Sequence, residues 1–305
     1  MTRYYYTFTL GLLFLSYSVL AGPFIFLDKS GVPSVITQKE IQKYNQTHSN
    51  SILPLWELGG GIVRTQFPDY PGSDFNYNIT LPFPAAIYRG DILRAERDEG
   101  IRGRFWNHKS FELDLSFDGT LPSRSGKPNP KRAGMPQLET VIEFGPKLII
   151  HLLKTKNKQT LDLNLAGRFA FSTSLKKWQD QGVQFNPFIS YKIEDIFTQK
   201  SLFMLSYSAK WSSRKLMRYY YQVAPSLETP QRPQYHAKSG LLETSLSALA
   251  YYPIYKEVMI FGGIIKAFYD NASNRQSPLL PKDRTTSVVL GIYLTPFKSR
   301  VYVED

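Results

Sequence analysis

The chain has 305 residues, a formal net charge of +12 and no cysteine, and its 20 Tyr and 20 Phe make it rich in amphipathic rings. The lack of cysteine excludes disulfides, thiol nucleophiles and Cys-ligated zinc sites. Hydrophobic residues make up only 42 % of the chain. This combination is more typical of a membrane barrel with aromatic girdles and a polar lumen than of a soluble globule.

The N-terminus predicts a signal peptide over residues 1–21. Arg3 precedes an apolar stretch from Phe8 to Leu20, and Ala21 offers a small residue for cleavage. A permanent membrane anchor is the weaker alternative, because a spanning helix needs roughly 20 apolar residues. Export, together with basic residues scattered through strands and loops, argues against nucleic acid as the partner. Lipid headgroups or other anionic polymers at the cell surface are the expected partners.

Residues 22–54 show no alternation of apolar and polar side chains, and they include a short predicted helix at residues 37–44. We predict a periplasmic extension there. From Leu55 onward, alternation with a period of two dominates, as in strands with one face toward lipid and the other toward a polar lumen. It is clearest over residues 111–118 and recurs over 75–83 and 161–172.

The alternation predicts twelve strands, and the lengths of their connections support a barrel. The strands are placed at residues 55–67, 75–88, 92–97, 101–107, 110–121, 138–153, 159–173, 183–194, 201–212, 238–252, 256–269 and 284–297. Long connections rich in Pro, Ser and basic residues alternate with short ones, which is the asymmetry of outer-membrane barrels. A soluble β-sandwich, the alternative, would show no such alternation. We therefore expect an all-β fold, a transmembrane antiparallel up-and-down β-barrel in the outer membrane, with short periplasmic turns and long extracellular loops.

Several turns and strands carry a recognisable order of motifs. They are Asp69-Tyr70-Pro71-Gly72-Ser73-Asp74, Tyr88-Arg89-Gly90-Asp91, Arg94-Ala95-Glu96-Arg97, Gly100-Ile101-Arg102-Gly103, Phe111-Glu112-Leu113-Asp114-Leu115-Ser116, Gly134-Met135-Pro136, Glu143-Phe144-Gly145-Pro146, Tyr219-Tyr220-Tyr221 and Ser277-Pro278. In this order the chain resembles the MipA/OmpV family, the MltA-interacting proteins, from Trp56 to Phe297. It departs from the usual pattern at its end, because Phe297 is followed by residues 298–305. We predict that Phe297 is the terminal aromatic of the barrel (residues 55–297) and that 298–305 form a short periplasmic tail.

The resemblance implies an outer-membrane barrel without catalytic activity. One branch of the family is described as a scaffold that joins a lytic murein transglycosylase to a murein polymerase, and another branch as porin-like. The leading hypothesis is therefore a scaffold for murein remodelling in contact with outer-membrane lipid and lipopolysaccharide, and a channel for small solutes is the alternative. No cofactor is expected.

Charged residues concentrate in a candidate lumen charge network. Its members are Arg89, Asp91, Arg94, Glu96, Arg102, Glu112, Asp114 and Arg168. Residues two apart on a strand point to the same face and can pair with charges on the next strand. The network either closes the pore or binds an anionic ligand, or it is a salt-bridge ladder that fills the interior, which is the favoured interpretation. General acid–base work by Glu112 and Asp114 is disfavoured, because a wet lumen keeps both carboxyls ionised.

The other candidate features have weaker signals. His108 and Ser110 match the His-x-Ser pair of an outer-membrane phospholipase, but a residue to orient the histidine is missing. His48, His151 and His236 are isolated, so no metal site is expected. Residues 59–61 are three glycines in the first strand, which favours close strand approach over ligand binding. The outer loop 213–237 contains five candidate contacts for lipopolysaccharide, unless it folds into the lumen or stays plainly exposed. These contacts are Arg214, Lys215, Arg218, Tyr219 and Tyr220.

Overall fold

The computed structural model describes residues 24–27, 33–47, 52–96, 100–120, 129–174 and 177–304. The predicted signal peptide and its cleavage site lie outside these residues. In the described part of the chain, neither of the two helices has the length and apolarity that a bilayer span would require.

Short elements come before the barrel. They are β1 (Phe24–Leu27), β2 (Pro33–Ile36), the helix α1 (Gln38–Thr47) and β3 (Ile52–Pro54). At the start of α1, Glu40 accepts a hydrogen bond from the Thr37 backbone N–H at 2.8 Å, and the Thr37 hydroxyl accepts one from the Glu40 N–H at 3.3 Å. This reciprocal capping box explains why the helix begins there.

Twelve strands then form one barrel, which is closed by the pairing of its last strand, β15, with its first, β4. They are β4 (Trp56–Pro68), β5 (Asn76–Arg89), β6 (Leu93–Glu96), β7 (Gly100–Asn107), β8 (Phe111–Thr120), β9 (Thr140–Lys154), β10 (Gln159–Thr173), β11 (Trp178–Glu194), β12 (Leu202–Ser212), β13 (Gly240–Tyr255), β14 (Val258–Phe268) and β15 (Arg284–Lys298). Every pairing between neighbours is antiparallel. The predicted all-β fold, strand count and up-and-down order are confirmed.

The start of β11 is the largest error in the predicted bounds. The strand begins at Trp178 and not at 183. Its first residues are polar and lack alternation, and Gly182 has a φ of +95° next to a register shift at Ala170/Phe171. A bulge of this kind breaks the period of two, which is why the alternation underestimated the strand.

The barrel has two unlike ends. The lower end, near Trp56 and Lys298, has short turns, whereas the upper end carries the long loops at residues 69–75, 213–239 and 269–283. The loop 213–239 contains the helix α2 (Arg214–Tyr221). Below the lower end, β16 (Val301–Glu304) joins the N-terminal strands in a four-stranded sheet of order β2-β1-β16-β3, in which β1 and β16 are parallel. The sequence did not predict this sheet, because strands of three or four residues are too short to show alternation.

The faces of the strands follow the predicted pattern with one exception. On β8, Asp114 and Ser116 point inward and are buried, whereas Phe117 points outward and is 50 % exposed. On β5 the order is reversed, because Tyr77 and Ile87 are buried on the inner face. The prediction that the apolar face of this strand meets lipid was wrong, since this face of β5 belongs to an aromatic side of the lumen, as described below.

Candidate functional site

A charged network in the lower half of the lumen is centred on Arg102 of β7. Its guanidinium lies 2.8 Å from a carboxylate oxygen of Glu96, 3.0 Å from Asp114 and 3.2 Å from Glu112. Arg94 adds a second ion pair to Glu96 at 2.7 Å. Arg102 is 5 % exposed and Asp114 is fully buried. The groups come from the neighbouring strands β6, β7 and β8, which are the shortest strands of the barrel. The network therefore connects these three strands to one another. We call these five residues the lumen network.

Two further strands extend the lumen network. His151 of β9 lies between two carboxylates, with its Nδ1 2.7 Å from Asp162 and its Nε2 3.4 Å from Glu112. Arg104 reaches Glu112 at 3.1 Å. Glu112 therefore has three cationic or ionisable partners, and Asp114 interacts with Arg102 and with Lys147, which lies opposite it on β9. This arrangement balances opposite charges and fills space in the lumen.

A second charged group lies higher in the barrel and includes Arg168. Its guanidinium donates from Nε to the Ser116 hydroxyl at 3.0 Å and lies 3.4 Å from Asp118. Lys210 of β12 lies 3.9 Å from both Asp118 and Glu243. Arg168 therefore belongs to the lumen interior, as the sequence indicated, but its ion pair is with Asp118 of this upper group and not with a carboxylate of the lumen network.

The remaining predicted members are placed elsewhere. Arg89 lies at the lower end, where it pairs with Glu57 at 2.8 Å and donates to the Pro54 carbonyl at 2.7 Å. This contact links β5 to the segment that leads down to the four-stranded sheet of β1, β2, β3 and β16, which we call the terminal sheet. Asp91 is exposed in the lower turn between β5 and β6. Neither residue is joined to the lumen network by a described contact, so the predicted set of eight is divided among four places.

The upper mouth of the barrel is filled by packed loops, which we call the plug. It consists of α2 and the segments 69–75, 129–139, 222–239 and 269–283. Four side chains of α2 are between 0 and 3 % exposed and form the centre of an apolar cluster. They are Leu216, Met217, Tyr220 and Tyr221. Tyr70, Leu279 and Leu280 from two other loops complete this cluster, and each is at most 2 % exposed. The plug is thus a small core of its own.

Hydrogen bonds to backbone carbonyls hold the plug segments together. The buried Arg232 donates to the carbonyls of Leu227, Lys131 and Ala133 at 2.8–3.1 Å. The Tyr221 hydroxyl donates to the Pro71 carbonyl at 2.8 Å. Burial raises the pKa of Tyr221 well above its usual value. This phenol therefore stays protonated and remains a donor at neutral pH.

Part of the prediction for the outer loop, that its tyrosines contact lipopolysaccharide, does not agree with the structure of the plug. Tyr220 is 3 % exposed, so it is not available to lipopolysaccharide as predicted, because it packs into the cluster. Tyr219 is partly buried, and its hydroxyl accepts a hydrogen bond from the Glu139 N–H at 2.6 Å. Arg214, Lys215 and Arg218 are exposed on the outer face of α2. The helix is therefore amphipathic, with its basic side outward and its apolar side in the mouth.

The lumen wall opposite the charged network is aromatic. Phe83, Tyr251, Phe261 and Tyr293 have ring centroids 5.4–6.3 Å apart in successive contacts. We call them the aromatic wall. Glycine makes room for it: a Cβ at Gly291 would lie 2.3 Å from the Phe261 ring, and one at Gly61 would lie 2.8 Å from the Phe83 ring. The lumen therefore has one charged side and one apolar side.

A cavity of about 160 Å³ lies against the aromatic wall. Its lining comprises Phe83, Pro84, Ala85, Ala86, Ile87, Glu96, Tyr251, Phe261 and Tyr293. This volume is below the range of about 300–1,000 Å³ that is common for pockets that enclose a whole ligand, so the cavity has room for part of a larger molecule. Glu96 is the one charged residue in the lining and also belongs to the lumen network. Apolar and charged regions thus meet at the edge of this cavity.

The geometry gives no catalytic arrangement for the predicted His-x-Ser pair. The exposed His108 accepts at Nδ1 from the backbone N–H of Ser110 at 3.3 Å, in the lower turn between β7 and β8. In the described part of the chain, no three His, Asp or Glu residues are grouped so as to hold a metal ion. For Gly59, a Cβ would lie 1.8 Å from the Leu294 carbonyl oxygen, which is the close strand approach that the glycines suggested.

Sequence reasoning missed His151, Asp162, Arg104, Lys210 and Glu243. Each sits on an inward-facing position, but their partners lie on other strands. Strand parity alone could have assigned these side chains to the lumen. Their pairing depended on cross-strand register, which bulges in β7, β9 and β13 shift by a residue.

The family described as MltA-interacting protein MipA matches residues 58–295, which is nearly the whole barrel. No curated protein matches the chain.

Proposed function

The chain belongs to the MipA family of MltA-interacting proteins, and from that premise we propose that it is an outer-membrane barrel that acts as a non-catalytic scaffold for murein-remodelling enzymes at its lower, periplasmic end. The family description names interaction with MltA, a murein transglycosylase. The observation that carries the proposal is the contrast between the two ends of the barrel. The upper mouth is filled, whereas the lower end carries an additional sheet.

The outer surface supports placement in a bilayer. Outward positions on successive strands are apolar and exposed, and they form what we call the outer belt. It includes Leu58, Ile62, Phe169, Phe185, Tyr207, Leu246, Ile264 and Leu290, each between 44 and 60 % exposed. A contiguous apolar surface of this extent on a closed antiparallel barrel is typical of a membrane protein. Short turns then belong to the periplasm and long loops to the cell surface.

The plug disfavours a passive channel, which is the alternative function. In the described part of the upper mouth, four α2 side chains and the tyrosine at position 70 are buried within one apolar cluster. Below them, the groups around Arg102 and around Arg168 each form ion pairs inside the lumen. A wide aqueous path would need both layers to rearrange. We therefore favour a role in which a partner binds to one end of the barrel over transport of solutes through the lumen.

The terminal sheet is the proposed docking face for the murein enzyme. It combines residues from both ends of the chain, since β16 pairs with β1 and β3. Arg89 and Glu57 anchor the segment next to it through a buried ion pair. Its edge strand β2 exposes Val35 to 72 %. Strand addition at an exposed edge is a common way to recruit a partner.

Site-specific photo-crosslinking in cells tests the scaffold. A photoreactive residue at Val35 or Lys39 samples the terminal sheet, and one at Arg218 samples the outer face of the plug as a matched control. We expect adducts with a periplasmic murein hydrolase or polymerase from positions 35 and 39 and none from 218. Absence of such adducts, or equal adducts from all three positions, would reject the scaffold.

Single-channel recording on the refolded full chain tests the alternative. We expect no discrete conductance in a planar bilayer, because the plug and the lumen network occupy the path. Regular conductance steps would favour the channel over the scaffold.

A further inference from the structure

The barrel wall has a side opening next to β5. β6 has four residues, and β5 pairs with it only through Tyr88 and Arg89. Among the described residues, positions 78–87 of β5 pair with β4 alone. On the other flank, β7 reaches only as far as Ser116 of β8. The short hairpin β6–β7 therefore closes the lower part of the wall, and the wall above it lacks these two strands.

The cavity at the aromatic wall lies beside this opening. On β5 it is lined by the consecutive residues from Phe83 to Ile87, among which the side chains of Phe83 and Ala85 point into the lumen. It also reaches Glu96, the last residue of β6. The cavity therefore lies at the unpaired edge of β5, next to the outer surface of the barrel.

The opening lies at the depth of the outer belt. In the register with β4, Pro82 is next to Ile62, Pro84 next to Gly60, and Ala86 next to Leu58. Ile62 and Leu58 are outer-belt residues, 55 and 45 % exposed. The cavity lining on β5 also lies in the lower half of the strand, toward the terminal sheet. In the proposed orientation this is the half that faces the periplasmic leaflet, which consists of phospholipid.

Two prolines disfavour a protein strand as the occupant. Pro82 and Pro84 have no backbone N–H, and proline on an edge strand is a common defence against pairing with another chain. An apolar chain without hydrogen-bonding groups suits this edge. The aromatic wall offers it a surface of rings, and Glu96 with its two arginine partners forms a polar boundary at one side.

We infer that the side opening admits the end of one acyl chain of a periplasmic-leaflet phospholipid, which packs against the aromatic wall inside the barrel. This lipid site is independent of the scaffold role, because it uses the barrel interior and not the terminal sheet. The unpaired edge, the cavity beside it and its depth in the outer belt carry the inference together.

Photo-labelling with a diazirine in the acyl chain of a phospholipid tests the site. The refolded full chain is placed in nanodiscs that contain this lipid, illuminated and digested, and labelled residues are identified by mass spectrometry. We expect labels on the inward-facing Phe261 and Tyr293 as well as on the outer-belt residue Leu290. Labels confined to the outer belt would overturn the inference.

Cavity-filling variants provide the specific control. Ala85→Trp fills the cavity from the inside and Ala86→Trp narrows it from the outside, whereas Ala250→Trp places the same ring on the outer face of β13. We expect the first two to lower labelling of Phe261 at least fivefold relative to Leu290, and Ala250→Trp to leave that ratio unchanged. If a folded variant at 85 and a folded variant at 86 both kept the ratio, the site would be refuted. A shift in gel mobility on heating identifies the folded barrels, and two positions guard against failure of one to fold.

Discussion

Removal of the Arg102 side chain should destabilise the barrel strongly. The guanidinium is 5 % exposed and lies 2.8–3.2 Å from three carboxylates. Glu112 keeps Arg104 and His151 as neighbours, and Glu96 keeps Arg94. The fully buried Asp114 loses the guanidinium at 3.0 Å and keeps its electrostatic interaction with Lys147, which lies opposite it on β9. Removing one partner of a buried ion pair costs about 3–5 kcal/mol, and the partial compensation places Arg102→Ala near the lower figure, about 3 kcal/mol.

Equilibrium unfolding in urea, followed by tryptophan fluorescence of the protein refolded into liposomes, measures this free energy. Arg102→Lys should recover only part of it, because a single ammonium cannot bridge three carboxylates. The double variant Arg102→Met with Asp114→Leu should recover part of it, since the carboxylate at position 114 is removed together with the guanidinium, whereas the buried Lys147 loses its interaction with that carboxylate. Arg218→Ala, on the exposed face of α2, should stay within about 0.5 kcal/mol. A loss below about 1 kcal/mol for Arg102→Ala would show that water in the lumen screens these charges.

Three further changes test the packing of the interior. Leu216→Asp puts a carboxylate into the plug cluster and should produce conductance steps in planar bilayers that the unmodified protein lacks; continued silence would show that the lumen network alone blocks the path. Gly291→Val should lower the free energy of unfolding by about 1–3 kcal/mol through overpacking, because its Cβ would lie 2.3 Å from the Phe261 ring, and an unchanged urea midpoint would contradict this. Tyr221→Phe removes the hydrogen bond to the Pro71 carbonyl, which contributes about 1 kcal/mol; faster cleavage of the upper loops by a protease should report it, and an unchanged rate would show that apolar packing holds the plug alone.

The strands were predictable because the period of two survives wherever one face is polar and the other is apolar. On β8, Glu112 and Asp114 alternate with Leu113 and Phe117, and no helix could place those carboxylates on one side. The alternation of short and long loops indicated the up-and-down topology. The plug was harder to foresee, since α2 has the composition of an exposed basic loop and only its helical spacing brings Leu216, Met217, Tyr220 and Tyr221 to one face.

The ion-pair partners of the inward-facing side chains could not be predicted from the alternation of polar and apolar residues. The sequence indicated that Arg94, Glu96 and Arg102 share a face, and the structure brings them within ion-pair distance. It could not indicate that His151 meets Asp162, because their meeting depends on a register shift at Leu161/Asp162 between β9 and β10. Position along the chain places a side chain on a face, whereas bulges decide its neighbour.

The reversed faces of β5 show that depth in the membrane matters as much as inward or outward direction. Its outward polar residues, Asn76, Asn78 and Thr80, lie in the upper part of the strand and are exposed. Their neighbours on β4 are polar at the same heights, since Asn78 pairs with Gln66 and Thr80 with Arg64. Polar groups at this level meet lipid headgroups and water, and only the lower positions 82–86 face hydrocarbon, where the outward residues are proline and alanine. The strand therefore avoids the cost of polar groups in the bilayer core, and its larger apolar side chains are free to build the aromatic side of the lumen.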